Sequence, residues 1–193
     1  MIFFETFYKK LKMLTFYHGL MGSGKSFKLV GMYYSLKMNT KVTVGVFKSE
    51  VDIRTNTTIS TRAPLTLEIN GTITDTSDIS RENYDILLID EVQFISPKQI
   101  ENIRLHAQTH DVYCFGLLTD HTAVLFPGSK RLVELADNVI QINDFCIPCS
   151  ICTHYRAILH KKRSFSESDV GAEYDHVCWK CFCEKDLIKN KNG

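Results

Sequence analysis

Several features that would assign this sequence to a familiar class are missing from it. It has no apolar run of about 18 residues, so a membrane-spanning helix is not predicted. It has no excess of one charge, because 23 basic and 22 acidic side chains are interspersed and leave a formal net charge of +1. No basic tail or stripe marks a nucleic-acid polymer as the main partner. Internal repeats and low-complexity segments are also missing.

The apolar N-terminus does not have the order of a secretion signal. Its apolar residues come first and Lys9, Lys10 and Lys12 follow, whereas a signal begins with basic residues. Two interpretations of residues 1–12 stay open. In the first, these residues form a disordered N-terminal extension. In the second, Met13 is the natural start of the protein.

The seven cysteines are distributed very unevenly. Cys114 stands alone in an apolar run, which is typical of a buried structural thiol. The other six lie between positions 146 and 183. Clustering of this kind, without a secretion signal, favours a metal site over disulfides and predicts a reducing, cytoplasmic compartment.

Apolar segments of strand length alternate with helix-like segments, which is the pattern of a parallel sheet covered by helices. The pattern predicts strands over residues 13–18, 41–47, 84–90, 111–118 and 139–142, and helices over residues 25–38, 97–109 and 128–136. The polar, Thr-rich residues 49–64 are predicted to form a loop. The sequence therefore predicts an α/β core, residues 13–143, followed by a small cysteine-rich domain, residues 144–185, and a flexible tail, residues 186–193.

Residues 19–26 read GLMGSGKS and fit the phosphate-loop pattern fully. Its glycines let backbone N–H groups turn toward phosphate oxygens, and the following helix adds the positive end of its dipole. Lys25 is expected to reach the β- and γ-phosphates, and the Ser26 hydroxyl to bind Mg²⁺. The phosphate-contacting set is Gly19, Met21, Gly22, Ser23, Gly24, Lys25 and Ser26. This motif predicts a P-loop NTPase-like core that binds ATP or GTP.

Two adjacent carboxylates, Asp90 and Glu91, follow the apolar run ILLI. Ligands of open α/β sheets gather at the carboxyl ends of strands. Asp90 is therefore expected to hold Mg²⁺, and Glu91 to accept a proton from the group that attacks the γ-phosphate. That group could be water, as in an ATPase, or a substrate hydroxyl, as in a kinase.

Two C-x-x-C pairs lie near the C-terminus, Cys146 with Cys149 and Cys178 with Cys181. Two such pairs complete a tetrahedral four-thiolate zinc site, which is closed to substrate and therefore structural. The register stays open, because Cys152 and Cys183 are competing ligands.

With a phosphate loop, an acidic strand end and two C-x-x-C pairs in this order, the sequence resembles the zinc-containing cytosolic thymidine kinases of animals, bacteria, phages and large DNA viruses. The segments that carry the resemblance read VDIR at 51–54, IDEVQF at 89–94, GLLTD at 116–120, LFPGS at 125–129 and VGAEY at 170–174. The resemblance covers residues 13–184.

The resemblance implies transfer of the γ-phosphate of ATP to the 5′-hydroxyl of thymidine, with deoxyuridine as a second substrate. Glu91 would be the general base. Lys25, Ser26 and Asp90 would hold MgATP, and Arg54 would offset charge on the transferring phosphoryl group. It also implies a zinc-tethered segment that closes over the nucleobase. The residues implied to bind the nucleoside are Met21, Phe94, Leu117, His121, Phe126, Val170, Gly171 and Tyr174. A homotetramer and feedback binding of thymidine triphosphate are implied in the same way.

The sequence departs from the family pattern at two places. His121 stands where an aromatic residue is usual, and Ala172 stands where the family has a second glycine. Two alternatives to a nucleoside kinase stay open. One is a P-loop ATPase in which Glu91 activates water, and the other is a zinc-ribbon nucleic-acid-binding protein with a degenerate nucleotide site.

Overall fold

The computed structural model describes residues 12–51, 57–61, 65–142, 155–159 and 174–184. In chain order its elements are β1 (Leu14–His18), α1 (Lys25–Lys37), β2 (Val44–Ser49), β3 (Thr58–Ser60), β4 (Thr66–Glu68), β5 (Gly71–Ile73), β6 (Ile86–Asp90), α2 (Pro97–His106), β7 (Asp111–Gly116), α3 (Pro127–Leu135), β8 (Asn138–Gln141), β9 (Tyr155–Leu159), β10 (Tyr174–Cys178) and α4 (Trp179–Glu184). Short 3₁₀ turns span Ile79–Arg81 and Val92–Phe94.

Six of these strands form one sheet in the order β5-β2-β6-β7-β1-β8, and every neighbouring pair is parallel. The predicted α/β class with a parallel sheet is confirmed. Because all strands point the same way, their carboxyl ends share one edge of the sheet. The phosphate loop leaves β1 at this edge, and the two carboxylates leave β6 there.

Helices cover both faces of the sheet. On one face α2 and α3 pack over alternate strand residues, with Phe16, Leu87 and Ile103 among the fully buried side chains. On the other face α1 packs over the remaining strand residues, such as Leu88. Burial on both faces explains why the strands lack the apolar–polar alternation of a half-exposed sheet.

Helix α2 begins where its sequence favours a start. The Ser96 hydroxyl accepts a hydrogen bond from the backbone N–H of Gln99, and Pro97 occupies the first turn. Helix α3 likewise has Pro127 in its first turn. These two starts place the Val92–Phe94 turn between β6 and α2 and set α3 against it.

The prediction of a loop over residues 49–64 is wrong in part. Strand β3 lies within this range and pairs antiparallel with β4. Each strand has a single buried apolar residue, Ile59 and Leu67, which packs on the α1 side of the sheet. One apolar residue per strand is too little for a periodic signal, so the hairpin could not be read from the pattern.

Strand β2 lies further along the chain than predicted, at Val44–Ser49 instead of 41–47. Before it, the backbone N–H and hydroxyl of Thr43 bond the Asp85 carboxylate. At its end, the polar residues Lys48 and Ser49 are buried and continue the strand. A prediction based on apolar residues ends the strand at the last apolar residue, Phe47. In the structure the strand continues through two buried polar residues.

The C-terminal part of the described chain contains an antiparallel pair, β9 and β10, followed directly by α4. The predicted domain boundary at residue 143 and the tail at 186–193 lie outside the described residues and stay predictions. No helix in the described ranges is both long and apolar enough to cross a membrane.

Candidate active site

The phosphate loop is built by two glycines with left-handed backbone angles. Gly22 and Gly24 have φ values of 82° and 84°, which other residues rarely adopt. Gly24 precedes the first residue of α1, so the N–H groups of the first helical turn open toward the loop. The predicted strand–loop–helix context of the motif is therefore present.

Lys25 reaches across this loop. Its ammonium group donates hydrogen bonds to the backbone carbonyls of Gly19 and Leu20, at 3.0 and 2.7 Å. The side chain is buried, so solvent screens its charge only weakly. His18 at the end of β1 is affected: burial first, and then the Lys25 charge, lower the pKa of its imidazole.

Ser26 and Asp90 meet across the carboxyl edge of the sheet. The Ser26 hydroxyl donates to Asp90 Oδ2 at 3.3 Å, and Asp90 Oδ1 accepts from the backbone N–H of Glu91 at 3.0 Å. A hydroxyl and a carboxylate oxygen are the ligands that Mg²⁺ prefers, so this pair fits the expected ion. Burial first, and then the Glu91 charge, raise the pKa of Asp90 to about 7.

Glu91 has an unusual backbone. Its φ and ψ are 52° and 39°, in the left-handed region that non-glycine residues seldom occupy. The Phe94 N–H donates to the Glu91 carbonyl at 3.2 Å and closes the Val92–Phe94 turn. Such a conformation costs of order 1–3 kcal/mol and persists where the surroundings hold it. Here it turns the backbone away from the strand direction at the ligand edge.

Two buried polar side chains at this edge were not assigned a role from the sequence. Gln93 is 2% exposed and hydrogen-bonds both Glu91 and the backbone of Leu117. Lys48 is 1% exposed and lies opposite Asp90 in the β2–β6 register. The signal for Gln93 was its place in the IDEVQF segment. For Lys48 it was a lysine that directly continues the apolar run of β2.

Five of the predicted nucleoside-binding residues are half-buried. They are Met21, Phe94, Leu117, His121 and Phe126. Phe94 and Phe126 form an edge-to-face pair with ring centroids 5.8 Å apart. Leu117 is fixed at its backbone, since the Ser129 hydroxyl donates to its carbonyl.

His121 lies in a tight turn after β7. The Asp120 carboxylate accepts hydrogen bonds from the backbone N–H groups of Thr122 and Val124, and Ala123 adopts a positive φ of 65°. The turn is thus fixed by its own sequence. The part of Met21 and His121 in the nucleoside pocket stays a prediction.

Most of the other predicted site residues lie outside the described ranges. Arg54, Val170, Gly171, Cys146 and Cys149 are not described, and Tyr174 is described only as the first residue of β10. Cys178 is buried, and its sulfur accepts the backbone N–H of Cys181 at 3.5 Å. In the described ranges no group of three or more His, Cys, Asp and Glu side chains could hold a metal ion. These two cysteines are half of the predicted zinc ligand set.

The parallel sheet, the phosphate loop and the Ser26–Asp90 pair define a nucleotide-binding protein of the P-loop class. The sequence model of the family described as "Thymidine kinase" matches residues 12–182. The chain therefore belongs to the thymidine kinase family.

Curated relatives carry the same name. A thymidine kinase of Cutibacterium acnes is 33% identical over 171 residues, 82% of this chain and 78% of the relative. One of Chromobacterium violaceum is 32% identical over 180 residues, 88% and 97% of the two chains. One of Encephalitozoon cuniculi is 38% identical over 116 residues, and there the match spans 54% of this chain and 55% of the relative.

Two solved structures are similar to part of this chain. Domain III of the replication initiation protein DnaA from Thermotoga maritima has a TM-score of 0.42 at 19% identity, covering 69% of this chain and 55% of that one. The Legionella pneumophila ATPase DotB has a TM-score of 0.43 at 12% identity, covering 94% and 52%. Neither likeness bears on the reaction.

Proposed function

We propose that this protein transfers the γ-phosphoryl group of ATP to the 5′-hydroxyl of thymidine. One observation carries the proposal: in a chain of the thymidine kinase family, Glu91 follows the Ser26–Asp90 pair directly at the carboxyl edge of the sheet. A carboxylate at that point can accept a proton from an attacking hydroxyl.

The phosphate loop would hold ATP. Backbone N–H groups of the loop and of the first turn of α1 would bind the phosphate oxygens. The Lys25 ammonium, which bonds the loop carbonyls of Gly19 and Leu20, would move to the β- and γ-phosphates. Ser26 and Asp90 would hold Mg²⁺, which neutralises charge on the phosphates. Asp90 must be ionised for this, and the nearby cation would favour that form.

Glu91 would act as the general base. Its carboxylate would accept the proton of the 5′-hydroxyl as that oxygen attacks the γ-phosphorus and ADP leaves. Phosphoryl transfer depends mainly on positioning and charge stabilisation, so a few fixed groups suffice. Arg54, implied by the family resemblance, would offset charge on the transferring group.

The nucleobase would lie among the half-buried apolar residues beyond Glu91. The Phe94–Phe126 pair and Leu117 offer aromatic and apolar surface to a pyrimidine, and an apolar niche favours the 5-methyl group of thymine. Deoxyuridine lacks only that methyl, so discrimination against it is expected to be only about 10-fold. His121 adds a polar edge at a family position that is usually aromatic.

The remaining parts of the proposal rest on the family resemblance. A structural zinc bound by Cys146, Cys149, Cys178 and Cys181 would hold a segment with Val170, Gly171 and Tyr174 over the nucleobase. The protein would act in nucleotide salvage in the cytoplasm as a homotetramer, with thymidine triphosphate as a feedback ligand.

A nucleoside panel tests the reaction. The purified protein is incubated with MgATP and thymidine, deoxyuridine, deoxycytidine or a purine nucleoside, and products are resolved by chromatography. Thymidine 5′-phosphate is expected to form ahead of the deoxycytidine and purine products. ATP hydrolysis without any nucleoside phosphate would instead favour the P-loop ATPase alternative.

Glu91→Gln tests the base. The substitution keeps the size and removes the proton acceptor, so kcat should fall by ~10²–10⁴-fold while ATP still binds. Turnover and binding of a fluorescent ATP analogue measure the two effects separately. Near-normal kcat in this variant would remove Glu91 from the role of base.

A further inference from the structure

The side chain of Gln93 joins the proposed base to the backbone after β7. Gln93 Nε2 lies 2.5 Å from Glu91 Oε2, and Gln93 Oε1 accepts the backbone N–H of Leu117 at 3.0 Å. The Gln93 side chain is 2% exposed, so its own amide has little access to water as an alternative partner.

The orientation of this amide is fixed by chemistry. The Leu117 N–H can only donate, so the atom facing it must be the oxygen Oε1. The NH₂ group must then face Glu91, which as a carboxylate can only accept. A flipped amide would set donor against donor and acceptor against acceptor. Gln93 therefore has one stable orientation, and Glu91 Oε2 receives its hydrogen bond.

The chain around Gln93 is closely packed on two sides. A Cβ added at Gly116 would meet Gln93 Oε1 at 2.6 Å and Val92 Cγ2 at 2.8 Å. A Cβ added at Gly128 would meet the carbonyls of Ile95 and Val92 at 2.4 and 2.7 Å. Glycines at the end of β7 and the start of α3 thus leave just enough room for the turn that carries Gln93.

We infer that Gln93 is a positioning residue for the Glu91 base, holding its carboxylate through Oε2 so that Oε1 faces the hydroxyl to be phosphorylated. The same amide is anchored at the Leu117 backbone, so the base takes its position from the wall of the proposed nucleoside pocket. This inference rests on the proposed function, since it gives Glu91 a partner in the role proposed above.

The first test variant is Gln93→Glu. It keeps an oxygen acceptor for the Leu117 N–H and replaces the donor toward Glu91 by a second carboxylate. Two carboxylates at hydrogen-bond distance share a proton, which withdraws the base. We expect kcat at neutral pH to fall at least about 10-fold, with the KM values for ATP and thymidine changed by less than about threefold. The acid limb of the kcat–pH profile should move to higher pH.

A matched control and a neutral variant complete the set. Gln108→Glu makes the same change at an exposed position and should leave kcat and its pH profile as in the parent. Gln93→Met has a similar length and no charge, and removes both hydrogen bonds. It should also lower kcat at least about 10-fold, with little change in either KM. If Gln93→Glu does not fold, as judged by circular dichroism and melting temperature, Gln93→Met decides the question.

The double variant Glu91→Gln/Gln93→Glu separates this inference from the proposed function. Once the base is removed there is nothing for Gln93 to position, so kcat of the double variant should match that of Glu91→Gln within about threefold. A further loss equal to that of Gln93→Glu alone would overturn the inference, as would parental kcat in every variant at position 93. If instead Glu91→Gln keeps near-normal turnover, the assignment of the base fails, and the inference with it.

Discussion

At the scale of single residues, Asp90 shows that a side chain suited to the function of this site can lower the stability of the ligand-free fold. Its carboxylate is 4% exposed and adjacent to Glu91, and both the burial and the neighbouring charge raise its pKa. The hydrogen bonds from Ser26 and the Glu91 N–H favour the charged form but do not offset the burial. A carboxylate in this position is suited to a cation and is unfavourable without one.

Asp90→Asn should therefore stabilise the ligand-free protein at about pH 8. A carboxyl group whose folded pKa is raised from 3.8 to about 7 binds more protons in the folded state, so its penalty is full above about pH 7 and disappears as pH falls toward 4. Asn can accept the Glu91 N–H through its side-chain oxygen and donate its NH₂ group to the Ser26 hydroxyl, without a charge. We expect a gain of more than about 1 kcal/mol at pH 8 and little difference at pH 4.5.

Urea unfolding of both proteins at the two pH values measures this effect. The same variant should bind MgATP more weakly, since it lacks the carboxylate for the ion. Equal stability of parent and variant at pH 8 would show that Asp90 is not strained by its burial.

At the scale of elements, the start of α3 holds the turn that carries Glu91 and Gln93. Gly128 lies against the carbonyls of Val92, Gln93 and Ile95, at distances that leave no space for a Cβ. Backbone atoms cannot move aside as a flexible side chain can. The position of this turn is thus set by the first turn of a helix more than thirty residues further along the chain.

Gly128→Ala should separate α3 from this turn. We expect a loss of about 1–3 kcal/mol in the free energy of unfolding, typical of overpacking, and a reduced kcat because Glu91 moves. Gly31→Ala is the control. Gly31 lies in the interior of α1 with open space at its Cβ position, so alanine should stabilise by up to about 1 kcal/mol. Chemical unfolding and kcat of both variants give the comparison, and equal effects would contradict the packing argument.

A stacked pair of histidines, His106 and His110, lies at the C-terminal end of helix α2. Their rings stack with centroids 4.1 Å apart, and the buried Nε2 of His106 has no hydrogen-bond partner in the described structure. Burial first, and then His110, lower the pKa of His106. The unfolded chain therefore takes up the proton first, and stability should fall as pH drops below about 6.5.

His106→Phe keeps the ring stack without a titratable group. The variant should lose less stability than the parent between about pH 7 and pH 5, although other groups add their own pH dependence to both. Thermal unfolding at several pH values measures the difference between the two proteins. Parallel pH curves would show that His106 is not protonated on unfolding in this range.

The sequence predicted the elements of the core better than their ends. Local signals were enough to predict the phosphate loop, the buried strands and the helix starts. Examples are the glycines around Lys25 and Pro97 after Ser96. The hairpin of β3 and β4, and the burial of Lys48, depend on tertiary contacts that a local pattern does not contain. The left-handed backbone of Glu91 is of the same kind, because packing around the Val92–Phe94 turn imposes it.

At the scale of the whole molecule, the described residues of the candidate site come from one continuous sheet edge. The phosphate loop lies at the carboxyl end of β1, the two carboxylates Asp90 and Glu91 at that of β6, and the backbone of Leu117 at that of β7. The β9–β10 pair and α4 come from the C-terminal segment, where the sequence predicts a zinc-tethered cover for the nucleobase. On this division, damage to the zinc ligands should weaken binding of the nucleoside and leave binding of ATP unchanged.

Cys178→Ser tests that division. Cys178 is buried at the end of β10, and its sulfur accepts the Cys181 N–H, an interaction that favours a thiolate. We expect zinc content to fall from about one ion per chain, and the KM for thymidine to rise about 10-fold or more with the KM for ATP nearly unchanged. Zinc is measured by atomic absorption.

Cys114→Ala is the matched control. Cys114 is buried in the core strand β7, and burial raises the pKa of its thiol, which disfavours metal binding. This variant should lose some stability and keep its zinc. Unchanged zinc in Cys178→Ser would transfer the ligand role to another cysteine, such as Cys183. Loss of zinc with equal rises in both KM values would show instead that the metal supports the whole sheet edge, because a cover confined to the nucleoside cannot weaken ATP binding.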